Sequence, residues 1–97
     1  MRVEVRKNEH DRRYEAVADG EVVGIADYRE ADGVVAIPHT EVRPSLRGQG
    51  VAAQMVAAVL DDIRAQGAAV DPQCSYVADF IRRQPGYADL LTTSRRP

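Results

Sequence analysis

Over the first forty positions hydrophobic residues alternate with charged ones. Val3 and Val5 stand among Arg2, Glu4 and Arg6, the alternation of a half-buried strand. Asn8 to Asp11 reads as a turn and Tyr14 to Ala18 as a second strand. Asp19-Gly20 is a hairpin signal, because such turns need positive φ. Val22 to Arg29 predicts a third strand and Val34 to Val42 a fourth, with Ala31-Asp32-Gly33 turning between them. Pro38 interrupts the fourth strand, so it is expected at a bulge, or where a missing N–H leaves nothing unpaired. Together these segments predict an antiparallel meander.

From Gly50 onward the period changes. Val51, Met55, Val56, Val59, Leu60 and Ile63 recur at helical spacing, while Gln54, Asp61, Asp62 and Arg64 lie mostly elsewhere. The pattern predicts a helix of about 18 residues, roughly 27 Å long, stopped by Gly67 at C′. Ala68 to Val70 predicts a short fifth strand, closed by Asp71-Pro72. A second helix is expected after Cys74, with Ser75 as N-cap and Val77, Phe80 and Ile81 as its apolar stripe. Pro85-Gly86 ends it, Tyr87 to Leu91 is expected to pack back, and the tail TTSRRP to fray. A strand–helix–strand run over residues 34–70 requires a right-handed crossover and a parallel pair. The expected fold is therefore α/β of the mixed kind: an N-terminal antiparallel meander, a long helix after the fourth strand, a fifth strand parallel to the fourth, and a second helix. With 97 residues, one domain over positions 1–97 is the natural expectation.

Composition narrows the partners. A 44% hydrophobic and 29% charged chain has the makings of a core rather than of disorder. Thirteen Lys and Arg against fifteen Asp and Glu, with no basic block, leave no nucleic-acid footprint. Cys74 is the only cysteine, which excludes an intrachain disulfide and a Cys-based zinc site and suits a reducing compartment. The charged N-terminal stretch is no signal peptide, and no apolar run nears a membrane span. A cytoplasmic protein without nucleic-acid or membrane partners is expected, as a monomer or as a weak homodimer through an exposed sheet edge.

The candidate chemistry begins in the stretch Val42-Arg43-Pro44-Ser45-Leu46-Arg47-Gly48-Gln49-Gly50-Val51-Ala52, which leaves a strand and opens a helix. The first N–H groups of a helix lack intrahelical acceptors, and the helix dipole adds partial positive charge there, so the junction suits an anion. Gly48 and Gly50 let the backbone approach a phosphate, and Arg47 and Arg43 can add charge-assisted hydrogen bonds. A P-loop would need GxxxxGK[ST], which the chain lacks. GQGVAA satisfies the dinucleotide fingerprint by letter, and Asp71 stands roughly where an acidic ribose ligand belongs. Yet these glycines follow the fourth strand of a meander, and little chain remains for a Rossmann sheet. The third pattern, [Q/R]-x-x-G-x-[G/A] between a fourth strand and a long helix, is filled by Arg47 to Ala52 at every specified position.

Three further runs accompany it: His39-Thr40-Glu41-Val42, Pro72-Gln73-Cys74-Ser75-Tyr76-Val77 and Pro85-Gly86-Tyr87. On these residues the chain resembles the GNAT acetyltransferase superfamily, and within it the group of minimal, single-lobe members. The resemblance covers nearly the whole chain and is strongest from 36 to 91; the P-x-C-x-[YF]-V element is more diagnostic of the small group than the glycine loop. It implies that the amides of Gln49, Gly50, Val51 and Ala52, with Arg47 and Gly48, hold the pyrophosphate of acetyl-coenzyme A. It implies that the backbone of Thr40, Glu41 and Val42 pairs with the pantetheine arm like an added strand. The fourth and fifth strands would splay to admit that arm, and the thioester would end near Cys74. Larger GNAT enzymes carry C-terminal strands that shape an acceptor pocket, and some a glutamate at the position that here is Ala36; this chain has neither.

Cys74 follows a proline turn and precedes a helix N-terminus, a place that favours the thiolate. It is a candidate to accept the acetyl group, or as a thiol to protonate the departing sulfur, or it is a small buried hydrophobe. His39 is a candidate base toward an acceptor ammonium, or a hydrogen-bonded strand histidine. Tyr76 and Tyr87 either line the thioester slot, with Tyr87 a donor to sulfur, or pack in the core. The leading expectation is an acetyl-coenzyme A-dependent N-acetyltransferase acting on a primary amine, small molecule or protein lysine, with fourth-strand amides stabilising the oxyanion. The alternative is a module that binds coenzyme A or acyl-coenzyme A without efficient transfer; a third is a protein-interaction domain with a vestigial loop.

Overall fold

The computed structural model describes residues 1–92. Of the expected frayed tail, all but Thr92 lies outside the described residues. The strands are β1 (Glu4–Asn8), β2 (Arg13–Ala18), β3 (Glu21–Ala31), β4 (Val34–Val42) and β5 (Ala69–Asp71). They form one sheet in sequence order, antiparallel from β1 to β4, with β5 parallel to β4. Helix α1 (Val51–Ala65) connects the parallel pair and α2 (Ser75–Arg83) follows β5. The meander, the crossover and the parallel fifth strand are those expected from the periodicity.

All six apolar positions read as the helix stripe are buried: Val51, Met55, Val56, Val59, Leu60 and Ile63. They lie against Tyr14, Ala16, Ala26, Tyr28, Val35 and Ile37 of the sheet in one core. Tyr14 reaches through it to donate its hydroxyl to Asp62 at 2.5 Å, fastening β2 to α1. The helix is 15 residues, shorter than expected, because both flanking glycines are outside it. Gly67 has φ of 71° and lets the Ala68 and Gly67 amides fold back to Ile63 and Arg64 carbonyls, a Schellman exit.

The second helix starts one residue away from its expected cap. Cys74, not Ser75, is the N-cap. The reason is tertiary: the Cys74 N–H is held by the Ile37 carbonyl at 2.8 Å, which keeps Cys74 extended, so that helical bonding begins with Ala78 N–H to Cys74 O. Val77 and Ile81 are buried as expected, whereas Phe80 is only partly buried, its ring 6.0 Å from that of Tyr87. Residues Pro85–Leu90 form a 3-10 turn that packs back on α1, where Arg64 clamps both Asp89 oxygens, at 2.7 and 2.9 Å, and the Gly86 carbonyl.

Candidate functional site

The site is made where β4 parts from β5. Only Val34–Ala36 pair with β5. Registers of Arg29 with Ala36 and of Asp27 with His39 set Ile37 and Pro38 against Tyr28 alone, a bulge at the expected proline. The bulge turns β4, and Pro38 offers no N–H to continue the ladder. Past it a groove of about 680 Å³ opens between β4, the first turn of α1 and the start of α2. His39, Thr40, Glu41 and Val42 line one wall; Leu46, Arg47, Gly48, Gly50, Val51, Ala52 and Ala53 line the other, and Tyr76 closes an end.

At the head of α1, Gly48 and Gly50 have φ of 83° and 80°. Gly50 is the N-cap and carries no side chain to satisfy the first amides; the first turn holds no acidic residue. The first helical bond is Gln54 N–H to Gly50 O at 3.2 Å, so the amides of Val51, Ala52 and Ala53 have no acceptor inside the helix. Uncapped donors, a positive dipole end and small side chains facing a groove make a fitting seat for a phosphate. Arg47 lies at this seat, exposed and without an ion pair among the described residues. Arg43 is turned away, bonded to Glu21 at 3.1 Å and to the Val22 carbonyl, so of the two arginines only Arg47 borders the groove. Gln49 is exposed beside the groove rather than in its lining.

The β4 wall presents backbone in alternation. The Arg43 N–H bonds to Val23 O across to β3, at 2.8 Å. In an antiparallel ladder the next bonded positions are then Glu41 and His39, opposite Ile25 and Asp27. The backbone groups of Thr40 and Val42 consequently face the groove, and those of Glu41 are engaged with β3. Of the expected trio, Val42 can offer N–H and carbonyl to an added strand and Thr40 its carbonyl, the Thr40 N–H being engaged with the Cys74 sulfur; Glu41 contributes its side chain to the rim.

Cys74 sits behind Thr40, its sulfur 3.3 Å from the Thr40 hydroxyl. Partial burial by itself would raise the thiol, but the Thr40 hydroxyl and the amides of Val77, Tyr76 and Thr40 all bond the sulfur and bring it below the ordinary thiol value. Cys74 is thus outside the groove lining and one side chain away from it. His39 stands on the rim, half exposed, with Nε2 3.4 Å from a Glu41 carboxylate oxygen. Tyr76 is an exposed aromatic in the groove. Tyr87 lies elsewhere, its hydroxyl donated to Asp61 at 2.9 Å and its ring 5.9 Å from the Arg64 guanidinium, so the reading of Tyr87 as a donor to sulfur loses its geometry. Ala36 pairs with Asp71, and no carboxylate stands at its own position.

Leu46 and Ala53 line the groove without having been singled out in the sequence. Ala53 was legible as the next small residue of the first helical turn. Leu46 was not, because its place depends on the 3-10 turn Pro44–Leu46. The thiol–hydroxyl contact was also hidden, since Thr40 and Cys74 are 34 positions apart.

Among solved structures, the fold is similar to that of a GCN5-like protein of Staphylococcus aureus determined by NMR in solution. That likeness has a TM-score of 0.70 and 22% identity, over 91% of this chain and 86% of the other. A smaller likeness, TM-score 0.49 with 28% identity over 88% of this chain and 64% of the other, is to AAC(6′)-Iy in complex with the bisubstrate analogue CoA-S-monomethyl-acetylneamine. A family model for GCN5-related N-acetyltransferases matches residues 13–90, a stretch that runs from β2 through the groove to the last 3-10 turn. On that match the chain belongs to the GCN5-related N-acetyltransferase family.

Proposed function

We propose that the protein transfers an acetyl group from acetyl-coenzyme A to a primary amine. The observation that carries this is the uncapped N-terminus of α1 opening into a groove whose far wall is an unpaired strand edge ending at Thr40 and Cys74. The amides of Val51 and Ala52, with Arg47, would hold the pyrophosphate; the backbone of Val42 and the Thr40 carbonyl would hold the pantetheine arm. Acetyl-coenzyme A supplies an acetyl group already activated as a thioester.

Two roles for Cys74 follow from its environment. As a thiolate it takes the acetyl group, coenzyme A leaving as its thiolate and gaining a proton from water; the amine then attacks the carbonyl carbon of the acetylated cysteine, the C–S bond breaks, and Cys74 leaves as its thiolate. As a thiol it protonates the leaving sulfur while the amine attacks directly. The donors around its sulfur favour the first. His39, which lines the rim, would take the proton the amine must lose. A coenzyme A-binding module is the second reading, favoured by the open rim on which His39 and Glu41 are exposed.

Calorimetric titration with acetyl-coenzyme A and coenzyme A tests the site. Micromolar binding is expected for the native chain and none for Gly50→Glu, whose side chain at a positive φ would fill the phosphate seat with charge. A folded native protein that binds neither ligand would sink the proposal. Intact mass after incubation with acetyl-coenzyme A, with Cys74→Ala beside it, separates the two roles of the thiol, since only the covalent route adds an acetyl group at that residue.

A further inference from the structure

Outside the groove lining, one polar side chain has more bonds than its place on a helix explains. Gln54 donates from Nε2 to the Gly50 carbonyl at 3.2 Å and to the Met1 carbonyl, and accepts the Val3 N–H on Oε1 at 3.1 Å. A primary amide has two N–H donors, and both are used. Its partners are about fifty positions apart in sequence: the chain entering β1, and the glycine loop, which the Met1 ammonium also meets directly at the Gln49 carbonyl, 3.3 Å away.

The consequence is geometric. The Gly50 carbonyl receives two donors, the backbone N–H and the side-chain amide of Gln54. The peptide Gly50–Val51 is a rigid trans plane, so fixing its carbonyl aims the Val51 N–H the opposite way, out of the helix end and toward the groove. Gly50 itself, with φ of 80° and no Cβ, resists rotation of that plane less than any other residue. The order of the seat must therefore come from the groups that hold the carbonyl.

We propose, resting on the coenzyme A reading of this groove, that Gln54 is a positioning residue for the phosphate seat, and that Met1–Val3 act as a strap that locks its rotamer. Its effect belongs to the pyrophosphate end of the ligand alone. A residue that merely joined β1 to α1 would show no such preference.

Chemical-shift titration of the native chain and Gln54→Leu with coenzyme A and, separately, with pantetheine, which lacks the pyrophosphate, distinguishes these. Loss of the bond is expected to weaken coenzyme A about three- to tenfold and leave pantetheine within about twofold. Gln54→Glu still accepts from Val3, donates nothing to Gly50 and sets a carboxylate beside the seat, so it should weaken coenzyme A more than Gln54→Leu does. Equal weakening of both ligands, or of neither, overturns the role of Gln54 while the coenzyme A site stands. A native chain that binds no coenzyme A removes both. Should Gln54→Leu fail to fold, Gln54→Met carries the same comparison.

Discussion

Thr40 meets Cys74 with two groups, its hydroxyl at 3.3 Å and its own amide. Against an ionised sulfur the hydroxyl can only donate, so it favours the thiolate in the same sense as the first amides of α2. Thr40→Val keeps the shape and the amide and removes that donor. Its thiol pKa should rise, and iodoacetamide should alkylate Cys74 about three- to tenfold more slowly at neutral pH, with Thr40→Ser restoring the rate. An unchanged rate in the valine variant would mean that the hydroxyl does not govern the sulfur. The residue types here were visible in the sequence and their partnership was not: nothing in a spacing of 34 positions says that two side chains share a proton.

At the scale of elements, α1 does two jobs with separate faces. Its apolar stripe anchors the sheet, and its first turn offers donors to the groove. The stripe was fully legible because six apolar residues at helical spacing have one way to be buried together. Leu60 is entirely buried, between sheet and helix. Leu60→Ala should lower the unfolding free energy by about 2–5 kcal/mol, read from urea denaturation, since the cavity adds to the lost transfer energy. A loss well under 1 kcal/mol would place α1 less tightly on the sheet than this packing requires. Element ends were less legible than element existence. The cap of α2 depends on the Ile37 carbonyl holding Cys74 extended, a long-range bond that no local preference of serine reveals.

For the molecule as a whole, the sheet face away from α1 holds the one buried charged residue among those described. Glu15 is held by Arg6 across the strand pair at 2.8 Å, by Arg13 at 2.8 Å and by Asn8 at 3.3 Å. Bonds from Arg6 and then Arg13 outweigh burial and pull its carboxyl down to about 2. A carboxyl whose folded pKa is depressed contributes its stability fully above the ordinary value of 4.5, and loses it as pH falls through about 2. Glu15→Gln should therefore melt below the native chain at neutral pH, with the two melting curves converging as pH approaches 2, most clearly at low salt. Curves that stay parallel over that range would remove Glu15 as a source of acid sensitivity. The alternation Arg13, Glu15 marks a common face; that Arg6 joins them required the register of β1 on β2.

The sequence by itself determined the order and kind of the elements, the core stripe and the glycine loop at the head of α1. Each of these is local: periodicity, turn residues and helix-end chemistry act within a few positions of the chain. The tertiary structure alone decided that Thr40 and Val42, and not Glu41, turn their backbone to the groove, that Arg43 is spent on Glu21, and that Tyr76 rather than Tyr87 meets the site. It also decided which groups bond the Cys74 sulfur and which hold the Gly50 carbonyl. Those outcomes depend on strand register, on a bulge and on the approach of segments far apart in sequence, and register is fixed by packing summed over the whole sheet rather than by any one residue.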